Sequence, residues 1–325
     1  MFRFIIRRVI FSIPVLLISS VLVFTVVHLT INPTASVSFN PRVSRAQVVK
    51  LRHELGLDKS GVQQYLAWFS HFIKGDWGES LLANRPVGQD IREALANTAV
   101  LGISATVFSL LVGVGIGVYS ALRQYSVLDH IFTSTAFVGL SIPNFWFALL
   151  LQIFFGLYLT RWLHLSSPLF YTAGMFSPGT TGFHLVDRLQ HLTLPALVLA
   201  VQIIAIYSRY MRASMLEVMH SDFLRTARAK GLRERRVVVR HAMRNALIPI
   251  TTQLALDVGA IAGGLIITEQ VFQWPGMGYF FVNALSDGDY PKILPWLMVT
   301  VFFVILFNLI ADITYAILDP RIRYS

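Results

Sequence analysis

Basic side chains crowd into one short stretch of the sequence, SDFLRTARAKGLRERRVVVRH, which runs from Ser221 to His241. Guanidinium and ammonium groups at this density can bind carboxylates or phosphates, and arginine does so through paired hydrogen bonds. Ser221 is a typical helix N-cap residue, and Asp222 favours the first turn. Lys230 favours the last turn, and Gly231 can adopt the left-handed conformation that ends a helix. The pattern predicts a helix of barely two turns, which is too short to be stable unless it docks on something.

Motifs for catalysis and for nucleotide or metal binding are absent from the sequence. No G-x-x-x-x-G-K-[ST] stretch occurs, so the chain lacks a loop that would cradle the phosphates of ATP. Neither H-E-x-x-H nor G-x-S-x-G occurs, and the nine histidines show no clustered metal-ligand spacing. The chain contains no cysteine, which excludes disulfides and thiolate sites. We therefore predict no catalytic residue, no metal site and no cofactor bound by this chain.

The segments that must position the basic stretch are strongly apolar. Of the 325 residues, 55% are hydrophobic and 14% are charged, whereas an ordinary soluble domain has about 25% charged residues. A bilayer-spanning helix needs roughly 20 apolar residues. Six runs approach that length, at about 9–31, 98–122, 131–157, 192–208, 246–267 and 293–318. The sequence predicts an all-α membrane protein with six transmembrane helices, the first of them uncleaved.

The distribution of Lys and Arg predicts the orientation of the chain. With a cytoplasmic N-terminus, the inner segments are the N-terminal tail, residues 123–130, residues 209–245 and the C-terminal tail. Sixteen of the 27 Lys and Arg residues fall in these short segments. Because cytoplasmic loops are enriched in Lys and Arg, we predict that both termini are cytoplasmic. The net charge of +10 then fits an anionic membrane face better than nucleic acid.

The basic stretch is also recognisable together with its surroundings. RTARAKG at 225–231 follows YSRYMRASMLEVMHSDFL at 207–224 and precedes RHAMRNALIPITT at 240–252. The pattern extends over nearly the whole chain, in order, through GDWGES at 75–80, SIPNFWFALLL at 141–151, TEQVFQWPGMG at 268–278 and DPRIR at 319–323. The sequence resembles the inner-membrane permease subunits of ABC importers, specifically the peptide/nickel (dipeptide/oligopeptide permease) branch.

The resemblance implies an ABC type I importer permease fold in which a short cytoplasmic coupling helix sits in a groove of an ATPase subunit. Aligned on Gly231, the Glu-Ala-Ala motif of the wider superfamily would place its acid at Arg225, where this sequence departs from the pattern. Small side chains suit close approach to a partner, and arginines can pair with partner carboxylates. The implied coupling residues are Ser221, Asp222, Arg225, Thr226, Ala227, Arg228, Ala229, Lys230 and Gly231. The alternative is a lipid-headgroup anchor without a protein partner.

The resemblance also implies a set of partners. They are a second, similar permease subunit, two ATPase subunits or domains that bind ATP and Mg, an extracytoplasmic substrate-binding protein and membrane lipid. The expected substrate is a di- or oligopeptide, with nickel or another small solute as the alternative. The chain itself is expected to be a multi-pass permease of a prokaryotic inner (plasma) membrane without an ATPase site. A secondary transporter fits the sequence less well, because six spans, a short basic coupling loop and one central acid argue against it. A membrane-embedded enzyme fits less well, because no convergent nucleophile or metal cluster is seen.

A polar face in the fifth predicted span is a candidate for the substrate path. Asp257 falls near its middle, and Gln253 lies one turn earlier on the same helical face. A charge at membrane depth costs at least about 2.5 kcal/mol and usually faces protein or water. We expect Asp257 either to attract the ammonium end of a peptide or to be satisfied by the partner permease. Asn144, beside the predicted kink at Pro143, is a second candidate on this path.

The external segments complete the predicted organisation of residues 1–325 as one permease domain. Residues 32–97 form an extracytoplasmic loop with a helix from Ser44 to about Leu55 and a second helix whose aromatic face includes residues 65–72. Residues 209–245 form the cytoplasmic coupling loop. By resemblance, a bend in FQWPGMGYF borders the external gate, with Trp274 and Tyr279 anchoring it at the membrane interface. The candidate gate residues are Glu269, Phe272, Trp274, Pro275 and Gly276.

Overall fold

The computed structural model describes residues 2–30, 46, 49–50, 53, 56–179, 182–261 and 263–318. These residues form helices, with one isolated β-bridge between Glu79 and Pro86. Most of the predicted helix from Ser44 to about Leu55 and the C-terminal DPRIR stretch lie outside the described residues. The all-α expectation therefore holds for the part of the chain that is described.

Twelve helices follow one another along the described chain. They are α1 (Phe2–Thr30), α2 (Gly61–Ile73), α3 (Val87–Leu122), α4 (Val127–Ser141), α5 (Asn144–Trp162), α6 (Leu185–Met219), α7 (Asp222–Ala229), α8 (residues 234–246), α9 (Ile248–Ile261), α10 (Ile266–Val271), α11 (Met277–Asp287) and α12 (Tyr290–Leu318). Two of them contain a π-helical turn, at Phe154–Tyr158 in α5 and at Val237–Ala242 in α8.

Five of the described helices are long and apolar enough to cross a membrane. They are Ile5–Thr30 of α1, α3, α5, α6 and Tyr290–Thr314 of α12. The fifth predicted span, 246–267, falls instead on α9, which has only 14 residues. The chain turns soon after α9 because Gly264 adopts a left-handed backbone with φ of 86°. The apolar run in the sequence is therefore longer than the helix that it forms.

The third predicted span, 131–157, is broken rather than kinked. Helix α4 ends at Ser141, Ile142 is extended with ψ of 124°, and Pro143 precedes the first residue of α5. A residue before proline is disfavoured in helical conformation, which explains the extended Ile142. The amide of Gln202 in α6 donates to the Ile142 carbonyl at 3.3 Å and satisfies one of the groups that the break leaves open.

The chain divides into two compact units. The first consists of Met1–Thr98, Ala262–Ile266 and Pro275–Leu306. In this unit the predicted aromatic helix is α2, whose Tyr65 and Trp68 rings lie 5.5 and 5.6 Å from the ring of Phe24 in α1. Trp296 stacks on Phe281 at 3.9 Å and donates its indole N–H to the carbonyl of Met277. Aromatic packing therefore holds α1, α2, α11 and α12 together.

The second unit consists of Ala99–Ile261, Ile267–Trp274 and Phe307–Ser325. Helices α3 and α6 approach closely in it because α3 carries glycines at the crossing. A Cβ atom at Gly117 would lie 2.5 Å from Cβ of Met211 and 2.7 Å from the carbonyl oxygen of Ser208. Small residues allow this close packing of membrane helices. The crossing positions the C-terminal end of α6, from which the basic stretch continues.

Candidate functional site

The predicted two-turn helix lies where the sequence places it. Helix α7 has eight residues, and Gly231 beyond it has a φ of 73°. Ser221 occupies the N-cap position, but its hydroxyl donates to the carbonyl of Val218 at 2.6 Å and makes no capping bond. The capping role predicted for Ser221 is therefore wrong. Its side chain instead closes the turn between α6 and α7.

One face of α7 is buried against its own unit. Leu224 is fully buried and Ala227 is 8% exposed, and both belong to a core cluster with Met211, Met215 and Val237. The helix therefore docks on α6 and α8, which meets the requirement that so short a helix be held in place. Ala227 faces this core, so it does not offer the close approach to a partner that its small size suggested.

The opposite face of α7 is free in this chain. Phe223 is 46% exposed. Among the predicted coupling residues, Ser221 is half-buried and Ala227 is buried. The others are exposed, namely Asp222, Arg225, Thr226, Arg228, Ala229, Lys230 and Gly231. Sequence reasoning did not single out Phe223.

The arginines of α7 are partly paired within the chain. Arg228 holds Glu234 through two hydrogen bonds of 3.0 and 3.2 Å, and the guanidinium lowers the pKa of the Glu234 carboxyl. Arg225 lies 3.5 Å from Asp222, with both side chains almost fully solvent-exposed, and such surface pairs contribute little. Arg225 is therefore available to a partner carboxylate, whereas the predicted intermolecular pairing of Arg228 competes with Glu234.

A basic cleft follows α7 directly. Its volume is about 750 Å³, and its walls include Gly231, Val239 and four arginines. The four are exposed and form no ion pair with any described residue: Arg233, Arg235, Arg236 and Arg240. The sequence places these four charges in the basic stretch but does not show that they line one cleft. Three of them recur at i, i+3 and i+7, which places them on one side of a helix.

A buried ion pair ties the start of α4 to the end of α6. Arg212 donates from Nε and Nη2 to the two carboxylate oxygens of Asp129 at 2.8 and 2.9 Å. Asp129 is 2% exposed and also accepts the backbone N–H of Tyr125 at 3.0 Å. These bonds hold the pKa of the Asp129 carboxyl well below its usual range. Sequence reasoning missed the pair, because the residues are far apart in the chain.

Two of the three predicted path residues lie together. Asp257 accepts the Tyr207 hydroxyl at 2.7 Å and the Gln253 side-chain amide at 2.8 Å, one on each carboxylate oxygen. The acid is half-buried. Asn144 is half-buried at the start of α5, and no hydrogen bond joins it to Asp257 or Gln253 among the described residues.

The first three candidate gate residues lie in the second unit and are buried. Glu269 and Phe272 have exposures of 0% and 1%, and the carbonyl of Phe272 accepts the backbone N–H of Gly174 at 2.8 Å. Trp274 is also only 1% exposed, and its backbone N–H donates to the Glu269 carbonyl at 2.8 Å. The prediction that Trp274 anchors the chain at the membrane interface is therefore wrong, because protein packing covers its ring.

The other two gate residues belong to the first unit. The carbonyl of Pro275 accepts the side-chain amide of Asn97 at 2.9 Å. Gly276 is buried at the N-cap position of α11, and the next N–H, that of Met277, donates to the Thr98 hydroxyl at 2.7 Å. These bonds fix the bend after Trp274 against the start of the second apolar run.

The arrangement offers binding surfaces rather than catalytic chemistry. Among the described residues, no group of three or more His, Asp or Glu side chains is placed to hold a metal ion. Two surfaces near the basic stretch are open to a partner, the exposed face of α7 and the basic cleft beside it. Both can bind an acidic macromolecular surface through charge-assisted hydrogen bonds.

Comparison with known proteins identifies the family. Residues 113–324 match the binding-protein-dependent transport system inner membrane component family, and residues 1–87 match its N-terminal membrane component. The chain is 39% identical to the oligopeptide transport system permease protein AppB of Bacillus subtilis (strain 168) over 325 residues, which is all of both chains. It is 37% identical to the oligopeptide transport system permease protein OppB of Mycobacterium tuberculosis (strain H37Rv) over 329 aligned residues. It is 35% identical to the dipeptide transport system permease protein DppB of Escherichia coli (strain K12) over 339 aligned residues. Both alignments cover the full length of each chain. The chain therefore belongs to the family of inner-membrane components of binding-protein-dependent transport systems.

Proposed function

We propose that this chain forms part of the transmembrane path of an ATP-driven importer of di- or oligopeptides. As a member of its family it is a permease subunit and has no ATPase site of its own. The three relatives named above are oligopeptide or dipeptide permeases, which favours a peptide substrate over nickel. The observation that carries the proposal is α7, a helix anchored by Leu224 that presents Phe223 and basic side chains outward.

The membrane topology is part of this proposal. Residues 1–325 act as one multi-pass permease domain with six spans, in which the short α9 serves as the fifth. Both termini and residues 209–245 lie on the cytoplasmic side, and residues 32–97 lie outside. The enrichment of Lys and Arg in the inner segments supports this orientation. The membrane is the inner (plasma) membrane of a prokaryote, as the bacterial relatives suggest.

The partner for α7 is an ATPase subunit that binds ATP and Mg. Closure of the ATPase pair moves the seated helix, and contact with α6 and α8 passes the movement into the membrane. The nine predicted coupling residues divide between the two tasks: Ala227 helps to hold the helix on its own chain, while the exposed members meet the partner. Arg233, Arg235, Arg236 and Arg240 extend the contact, since their charges are open to acidic side chains of the ATPase.

The substrate path and the external gate are assigned to residues of α5, α9, α10 and the bend that follows α10. Asp257 and Gln253 offer a polar site whose carboxylate can attract a peptide ammonium group, and Asn144 is the third candidate. Glu269, Phe272, Trp274, Pro275 and Gly276 border the gate. The path is completed by a second, similar permease, and an extracytoplasmic binding protein delivers the peptide.

Transport by the reconstituted complex tests the proposal. The chain is assembled in proteoliposomes with the second permease, the ATPase subunits and the binding protein, and uptake of a labelled tripeptide is compared with uptake of labelled nickel. We expect ATP-dependent peptide uptake that stops when the Walker lysine of the ATPase is changed. Nickel uptake without peptide uptake would contradict the substrate, and peptide uptake that persists with the inactive ATPase would contradict the mechanism.

A further inference from the structure

An apolar groove in the first unit has no role in the proposed transport cycle. Residues of α1, α2, α3 and α12 line it, together with the segment around Trp77, and its volume is about 630 Å³. Cavities that bind small molecules commonly measure about 300–1,000 Å³. Side chains such as Leu16, Phe69, Leu95 and Phe302 make its wall almost wholly hydrocarbon. The groove therefore suits a long apolar chain.

One charged side chain lines the groove. Arg92, in the first turns of α3, is exposed and makes no hydrogen bond or ion pair with any described residue. The acids beside it in the sequence are already engaged, because Asp90 and Glu93 lie 3.3 and 3.2 Å from Arg85. A permanent positive charge therefore stands at an apolar groove without an internal counter-ion.

We propose that this groove binds an acyl chain of an anionic phospholipid whose phosphate lies on Arg92. An occupant must combine a long hydrocarbon chain with an anion at one end, and a phospholipid of the surrounding membrane has both. A zwitterionic headgroup would bring a second cation towards the arginine, so the charge favours an anionic one. Arg92 precedes the predicted start of its span by six residues, which puts it at headgroup depth. The site is independent of the transported substrate.

Photolabelling of the assembled complex tests the site. Nanodiscs that contain the full transporter receive photoactivatable phosphatidylglycerol or phosphatidylcholine, and labelled peptides are mapped by mass spectrometry. We expect phosphatidylglycerol to label α1, α2, α3 or α12 of this chain in preference to phosphatidylcholine. Arg92→Gln removes one charge-assisted contact and should lower that preference by about tenfold. Arg161→Gln is the matched control, because Arg161 is also exposed at a helix end and does not line the groove.

A second pair of variants tests the acyl chain separately from the headgroup. Ile13 lines the groove and is 53% exposed, so Ile13→Trp fills the groove at little cost to folding. Ile10 is 57% exposed on the same helix and does not line it, so Ile10→Trp is the control. Labelling should fall only in Ile13→Trp. Equal labelling by the two lipids, equal effects of Ile13→Trp and Ile10→Trp, or no labelling because another subunit covers the groove would each overturn the proposal. Peptide uptake is measured in the same samples, so that a failure of the lipid site can be distinguished from a failure of the proposed transport function.

Discussion

Replacing Phe223 by alanine is expected to weaken the assembly with the ATPase and to cost this chain less stability than truncating a fully buried residue. Full burial of a phenylalanine is worth about 1.5–3 kcal/mol. Because 46% of Phe223 is still exposed, roughly half of that free energy, about 1 kcal/mol, remains for a partner to gain. A loss of about 1 kcal/mol corresponds to roughly fivefold weaker binding.

The neighbouring substitution Leu224→Ala is the matched control on the other face of α7. Leu224 is fully buried in the core cluster that contains Met211 and Met215. Truncating a buried leucine to alanine costs about 2–5 kcal/mol through lost transfer free energy and the cavity left behind. This variant should therefore lower the thermal stability of the chain, whether or not the ATPase is present.

Two measurements on the same nanodisc preparations separate these effects. Titration with the ATPase subunit gives the dissociation constant, and thermal unfolding of the permease gives its stability. Phe223→Ala should raise the dissociation constant about fivefold and lower the melting temperature only slightly, whereas Leu224→Ala should lower the melting temperature strongly because Leu224 is fully buried. If Phe223→Ala lowered stability as much as Leu224→Ala and left binding intact, the assignment of the two faces of α7 would be refuted.

Three further substitutions test the packing and the path. Asp129→Asn leaves Arg212, whose side chain is 27% exposed, without its counter-charge and should destabilise the chain by about 1.5–3 kcal/mol in thermal unfolding; stability equal to the unsubstituted chain would contradict the ion pair. Gly117→Leu drives a side chain into Met211, because even a Cβ atom at Gly117 would lie only 2.5 Å from the Cβ atom of Met211. We expect the free energy of unfolding to fall by at least about 1–3 kcal/mol. An unchanged melting temperature would argue against the close crossing of α3 and α6. Asp257→Asn should lower peptide uptake without loss of the folded complex; unaltered uptake would remove Asp257 from the substrate path.

Local patterns predicted the short helix α7 well. The boundaries of α7 follow from Asp222 in the first turn and from Gly231, whose left-handed backbone ends the segment. The same reasoning did not predict which side of α7 is buried. That side is determined by where α6 and α8 pack, and an eight-residue helix carries too few apolar positions to specify it. Sequence reasoning therefore overlooks Phe223. It assigns Ala227 to a partner contact, although the core of this chain covers that residue.

Contacts between distant residues could not be predicted. Asp129 and Arg212 are 83 residues apart, and nothing local to either residue indicates its partner. The burial of Trp274 also depends on distant residues. A tryptophan near the end of an apolar run favours a membrane interface, yet tertiary packing covers the ring of Trp274. Runs of apolar residues located the long helices. The break at Pro143 and the early end of α9 depend instead on the backbone conformations of Ile142 and Gly264, which a hydropathy pattern does not report.

Site-directed cross-linking tests most directly whether the exposed face of α7 seats on the ATPase. The chain has no cysteine, so Thr226→Cys introduces a single thiol on the exposed face, and Leu66→Cys introduces one on α2 as a control, where Leu66 is 58% exposed. A short bifunctional reagent should join Thr226→Cys to the ATPase subunit in the assembled complex, with a yield that changes when ATP is bound and hydrolysed. Leu66→Cys should give no ATPase adduct. Labelling of Thr226→Cys by a soluble maleimide at the same rate with and without the ATPase, and no cross-link to it, would contradict the coupling role of α7.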